Sequence, residues 1–101
     1  MGLTKAEAMD RLRKELPFLH EAFGLSRIGI FGSFAVDRQT DESDVDLVLE
    51  FEHTPGMRFV ELTEHIERLL HRKVDVLTGA GISAIRNERI AQSIKDSVVY
   101  V

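Results

Sequence analysis

Asp44 and Asp46 flank a single valine at the head of an apolar run, Val45 to Phe51. In an extended strand successive side chains point to opposite faces, so the two carboxylates project together, away from Val45, Leu47, Leu49 and Phe51. Like charges on adjacent same-face positions repel unless a cation lies between them, and oxygen-only ligands at close range suit a hard ion such as Mg²⁺. Upstream, Ile28, Ile30 and Phe31 run into Gly32-Ser33. Glycine lets the backbone approach a ligand closely, serine offers a hydroxyl, and if a helix starts there its free N–H groups would face an anion. Phosphate at Gly32-Ser33 and metal at Asp44/Asp46 together imply a metal–nucleotide site. Taken singly, Gly-Ser is an ordinary turn and Asp-x-Asp an ordinary solvated strand edge; the pairing of the two carries the reading.

The flanking elements must position these groups. Thr4-Lys5-Ala6-Glu7 fits a capping box and predicts a helix start. Met9, Leu12, Leu16 and Leu19 follow at helical spacing, Pro17 should kink the helix or begin a new turn, and Gly24 should end it. Ser26 to Phe31 reads as the first strand and Gly32 to Ala35 as a turn into a short helix or loop. The polar stretch Val36 to Ser43 reads as a solvent-facing loop. Within it Arg38 can reach a nucleotide phosphate, although a loop arginine between Asp37 and Asp41 more often makes solvated ion pairs.

After the breaker cluster Glu52 to Gly56, the apolar residues Phe59, Leu62, Ile66, Leu69 and Leu70 predict a helix over Arg58 to His71. That helix can cross over to place the strand Lys73 to Thr78 beside the Asp46 strand in a β-α-β unit. Asp75 then needs a reason, since an ionised carboxylate in a short apolar strand is costly unless paired, solvated or metal-bound. It either faces the same cleft as Asp44 and Asp46 or pairs with Lys73 or Arg72 at a sheet edge. Gly79-Ala80-Gly81 is a further break. Ile82, Ile85, Ile90 and Ile94 suggest a last helix carrying Arg86, Arg89 and Lys95, and Ser97 to Val101 a short strand or docked tail, buried in this chain or against a partner. His20, His53, His65 and His71 show no metal-ligand spacing and read as surface or packing residues.

Gly-Ser, ten residues, Asp-x-Asp resembles the signature of the DNA polymerase β-like nucleotidyltransferase superfamily. With the crossover helix and the Lys73-Val74-Asp75 strand, nearly the whole chain looks like a minimal nucleotidyltransferase (MNT), the type often paired with a HEPN-domain ribonuclease toxin. The resemblance implies an α/β (α+β) fold, the polymerase β-like palm, with a small mixed sheet and packed helices. It implies nucleotide phosphates at Gly32 and Ser33, Mg²⁺ at Asp44 and Asp46, Asp75 as third acid, and ATP as nucleotide substrate. In antitoxin members AMP passes to a tyrosine of the toxin, which silences the ribonuclease. One departure stands out: members commonly carry Ala-Arg-Gly-Glu after the Gly-Ser turn, whereas this chain has Ala35-Val36-Asp37-Arg38. Arg38 can stand in from two residues on; otherwise phosphate binding is weakened. That keeps two alternatives open: a non-catalytic antitoxin acting by complex formation, and a small-molecule, aminoglycoside-type nucleotidyltransferase that would need an acceptor domain or oligomerisation.

Whole-chain properties bound the same reading. At 101 residues the expectation is one nucleotidyltransferase domain, 1–101, in which a partner supplies the acceptor, with homo- or hetero-oligomers both open. A net charge of −4 disfavours a direct nucleic-acid surface, because affinity for polyanions rests on phosphate neutralisation. Absent cysteine removes disulfides, thiolate metal sites and thiol nucleophiles. The charged N-terminal stretch is unlike a signal peptide and no apolar run can span a bilayer, so the cytoplasm, with no membrane partner, is the expectation.

Overall fold

The computed structural model describes residues 2–36, 38–40, 43–53, 55–78 and 86–101. Helix α1 (Lys5–Phe23) starts at the anticipated capping box. Glu7 N–H donates to Thr4 Oγ1 at 3.1 Å, and the Glu7 carboxylate reaches back to the Thr4 backbone. Gly24, left-handed at φ 72°, closes it. The helix is continuous through Pro17, so no separate turn begins there: the capped ends and the buried Ala8, Leu12 and Leu19 hold the turns on either side.

Strand β1 (Leu25–Phe31) pairs antiparallel with β2 (Val45–Phe51). After a single 3₁₀ turn, α2 (Phe59–Leu70) crosses to β3 (Val74–Thr78), which lies parallel beside β2 as the β-α-β expectation required. The final helix, α3 (Glu88–Ser97), is capped by Asn87, whose Oδ1 accepts from the N–H groups of Arg89 and Ile90. Arg86 therefore precedes this helix rather than riding on it, because the asparagine cap outcompetes continuation toward the N-terminus. Ile82 and Ile85 of the expected helix, with the glycine break before them, lie outside the described residues. The tail forms β4 (Val99–Tyr100), antiparallel to β1, so it docks within the chain with Val99 and Val101 partly buried while Tyr100 stays exposed.

The mixed sheet has the order β3-β2-β1-β4. One face carries Ile28, Ile30, Val45, Leu47, Leu49 and Val74 into a core closed by α1 and by Leu62, Ile66 and Leu70 of α2. Asp46 alternates onto the opposite face, as the strand periodicity anticipated. Val48 shares that face and is also buried, outside the main core cluster. No helix among the described residues is long and apolar enough to cross a membrane.

Candidate active site

The ends of three strands converge where β1 finishes and β2 and β3 begin. Asp46 stands opposite Phe31 across the β1–β2 ladder and opposite Asp75 across the β2–β3 ladder. Neighbouring strands lie about 4.8 Å apart, so the Asp46 and Asp75 carboxylates rise side by side from one sheet face. Asp44 sits two residues ahead, exposed, just before β2 begins. Among the described residues Asp75 forms no ion pair: Lys73 instead lends its carbonyl to Val45 N–H at 2.9 Å, and Arg72 is directed elsewhere.

Desolvation by partial burial pushes the Asp46 carboxyl up from its ordinary 3.8, and the negative charges of Asp75 and then Asp44 push it further. The three acids brought together by the fold thus act on one another, with Asp46 at the centre.

Gly32 presses directly on Asp46. It adopts φ +70°, a left-handed conformation that glycine takes without a steric penalty, and a Cβ built there would overlap Asp46 Oδ2. Residues 32–36 form consecutive turns, as expected for Gly32 to Ala35, and among the described residues no helix follows before β2. The fully buried Phe34 plugs the turn into the core while Gly32 and Ser33 stay accessible. Ala35 N–H donates to Gly32 O at 3.1 Å and Arg38 N–H to Ser33 O at 2.8 Å. This brings the exposed Arg38 to the foot of the Gly32–Ser33 turn; Asp37 and Asp41 lie outside the described residues. Val36, at the position where an arginine was expected, is 53% exposed.

The donor chemistry suits a hard dication: carboxylates on adjoining strands, with Asp46 raised in pKa first by partial burial and then by Asp75 and Asp44, beside a glycine cradle that a side chain would fill. Among the described residues no group of three His, Cys, Asp or Glu side chains is placed to hold a metal ion, so an ion here would be held by one or two of these carboxylates. Mg²⁺ is commonly held in this way, with phosphate oxygens and water completing its octahedron.

The four histidines are otherwise engaged. His20 Nδ1 lies 3.0 Å from Leu25 O, His65 pairs with Glu15 at 2.8 Å between the helices, His71 provides the left-handed end of α2 at φ 55°, and His53 packs on Gly24. Arg72 is the site neighbour that sequence reasoning weighed only as a partner for Asp75. Its position directly before Lys73-Val74-Asp75 was the available signal, but its target depends on a loop path that spacing does not reveal.

Comparison with known proteins agrees with this geometry. Residues 9–101 match the family described as nucleotidyltransferase domain. The chain is 35% identical over 100 residues to the protein adenylyltransferase MntA of Thermococcus cleftensis, spanning 98% of this chain and 97% of that protein. It is 39% identical over 99 residues to a candidate protein adenylyltransferase of Methanocaldococcus jannaschii, covering 97% and 98% of the two chains. Its fold superposes on the structure of a candidate minimal nucleotidyltransferase with a TM-score of 0.74 at 21% identity, covering 96% of this chain and 95% of the other. A chain from a toxin–antitoxin structure with AMP-PNP gives a TM-score of 0.62 at 19% identity, covering 97% and 72%. With residues 9–101 matched and relatives 35% and 39% identical over nearly its whole length, this chain belongs to the nucleotidyltransferase domain family.

Proposed function

We propose that this chain is an antitoxin enzyme that transfers AMP from ATP to a tyrosine hydroxyl of a HEPN-type ribonuclease toxin and thereby silences it. The observation that carries the reading is the Asp44–Asp46–Asp75 group set against the Gly32 turn, with Asp46 destabilised as an anion by both neighbours. Relatives named as protein adenylyltransferases support the reaction class. The AMP-PNP and the toxin–antitoxin assembly of the fold neighbour motivate the nucleotide and the partner.

In this reading Gly32 and Ser33 receive the phosphates, the glycine by close backbone approach and the serine by its hydroxyl. Asp44 and Asp46 would hold Mg²⁺, and Asp75 would either help to build a second metal position or act instead as the base. When bound, the metal neutralises charge on the triphosphate and polarises the acceptor hydroxyl. Asp75, exposed on the edge strand, is placed to take the phenolic proton as the tyrosine oxygen forms its bond to the α-phosphorus. The bond from that phosphorus to the bridging oxygen breaks, and pyrophosphate leaves with the electron pair. Arg38 at the foot of the turn supplies positive charge to the departing phosphates.

The exposed Val36 favours one second reading, an antitoxin that acts by covering the toxin without chemistry, because the expected phosphate-binding arginine is missing there. Co-expression with the partner encoded beside it, followed by intact mass of that partner, separates the two. A gain of one or more AMP units that disappears in the Asp44→Asn/Asp46→Asn double variant is the expected result. A stable complex with no mass gain from either version would leave the binding-only reading. AMP transfer by the chain alone to a small hydroxyl compound would point to the aminoglycoside-type alternative.

A further inference from the structure

Arg72 stands outside the proposed chemistry, yet it contacts both segments that build the site. It follows α2 directly, where left-handed His71 turns the chain and Arg72 N–H donates back to Glu67 O at 3.3 Å. The Glu67 side chain also accepts from Val74 N–H at 3.2 Å, which pins the start of β3. From this anchored position Arg72 Nη1 donates to Thr40 O and to Ser43 O, both at 3.1 Å. Thr40 and Ser43 also bond directly to each other, Ser43 N–H to Thr40 O at 3.1 Å and Thr40 N–H to Ser43 Oγ at 2.8 Å. The Ser43 carbonyl is part of the peptide joined to Asp44. The guanidinium carbon also lies 5.6 Å from the ring centroid of Phe34, the plug of the phosphate turn.

We propose that Arg72 is a positioning residue: by holding the Thr40 and Ser43 carbonyls while lying over Phe34, it fixes the peptide that presents Asp44 and couples it to the Gly32–Ser33 turn. The inference rests on the assignment of Asp44 and Asp46 as metal ligands. A carboxylate ahead of a strand, at the end of a polar loop, would otherwise sample many orientations, and each ordered side chain has an entropic cost that a pre-set backbone reduces. Outer partners of this kind typically alter metal affinity by about 10–100-fold when removed. Lysine is a poor substitute, because it keeps the charge but lacks the planar face and forked donors.

The test compares the wild-type chain with Arg72→Gln and Arg72→Lys, using Mn²⁺ as the probe ion with a non-hydrolysable ATP analogue present. Mn²⁺ uptake is followed by loss of the free-ion paramagnetic signal, and amide hydrogen exchange is measured in parallel. For Arg72→Gln the expected result is faster exchange confined to the backbone around Thr40, Ser43 and Asp44, with uptake weakened about tenfold. AMP transfer should also need about tenfold more Mg²⁺ yet return to within a few-fold of wild type at excess Mg²⁺, a recovery that general loss of folding would not give. Arg72→Lys should lie closer to Arg72→Gln than to wild type. Unchanged exchange or uptake in Arg72→Gln would overturn the proposal, and so would full recovery in Arg72→Lys, which would reduce the role to bare charge. If the wild-type chain takes up no Mn²⁺, the metal-site reading itself fails and this inference falls with it; the failure is distinguishable because it shows before any substitution.

Discussion

Asp46 has a carboxylate that the folded chain disfavours in its charged form, because partial burial and the charges of Asp75 and Asp44 all raise its pKa above 3.8. The unfolded chain ionises this group first as pH rises. Between 3.8 and the raised value the folded state therefore holds the extra proton, and stability without metal falls across that window as pH increases. Asp46→Asn should consequently raise the melting temperature of the metal-free protein at neutral pH. The group is open enough to solvent for screening to keep the gain small, about 2–4 °C. If Asp46 holds Mg²⁺ as proposed, Mg²⁺ with nucleotide should stabilise the wild type and this variant should lose that gain. A thermal scan with and without Mg²⁺ checks both, and a lower melting temperature for metal-free Asp46→Asn would show that repulsion is not what Asp46 experiences. Part of this adjacency was legible in the sequence: period-two alternation put Asp46 on the face opposite Val45 and Leu47, and a crossover helix of sufficient length allowed the Asp75 strand beside it, with an edge pairing of Asp75 to Lys73 or Arg72 left open. The contact of Gly32 with Asp46 was not, because it depends on the register of β1 against β2.

Helix α1 shows where local rules and packing part company. Its capping box, its Gly24 terminus and its apolar stripe were all readable from residue types, yet Pro17 sits inside a continuous helix. Proline removes one N–H donor and crowds the preceding turn, at about 3 kcal/mol relative to alanine in a helix interior. Burial of Leu12 and Leu19 on either side outweighs that local cost. Since Pro17 is itself exposed, Pro17→Ala should restore the bond to the Arg13 carbonyl without disturbing the core. The added freedom of the unfolded chain offsets about 0.4–1 kcal/mol of the gain. A net stabilisation of about 2–2.6 kcal/mol by urea denaturation is expected, and destabilisation would mean that proline sets a helix shape the sheet requires. At the opposite edge, β4 was anticipated as a docked tail, and Gly29 explains its seat. A side chain at Gly29 would overlap Val98 and crowd the Tyr100 ring, over which Arg27 lies at 3.5 Å. That fit depends on which strand the tail chooses, so residue order alone could not supply it.

Across the molecule, charge and shape point to the same requirement. One sheet face is sealed by α1 and α2 while the acids occupy the end of the other, in a chain whose net charge is −4. A nucleoside triphosphate approaching without a cation meets repulsion from the whole protein as well as from Asp44, Asp46 and Asp75. Metal-free ATP binding should therefore strengthen as salt is added, the reverse of a phosphate site dominated by arginine and lysine. Raising ionic strength from about 0.01 M to about 0.1 M shortens the screening length from about 30 Å to about 10 Å. With several like-charge pairs at separations near 10 Å, each worth about 0.4 kcal/mol in water, affinity should rise about two- to fivefold. With Mg²⁺ present the dication offsets the acids locally, and the same increase in salt should leave affinity flat or lower it. Titration with a fluorescent ATP analogue, with and without Mg²⁺ at both salt levels, reads the sign directly. Weakening by salt in the metal-free series would mean that Arg38 and neighbouring cations, rather than the carboxylates, set the potential at the phosphate turn. Under that outcome the acids would not control nucleotide entry, and the substituted Val36 would matter less than the cations that remain around it.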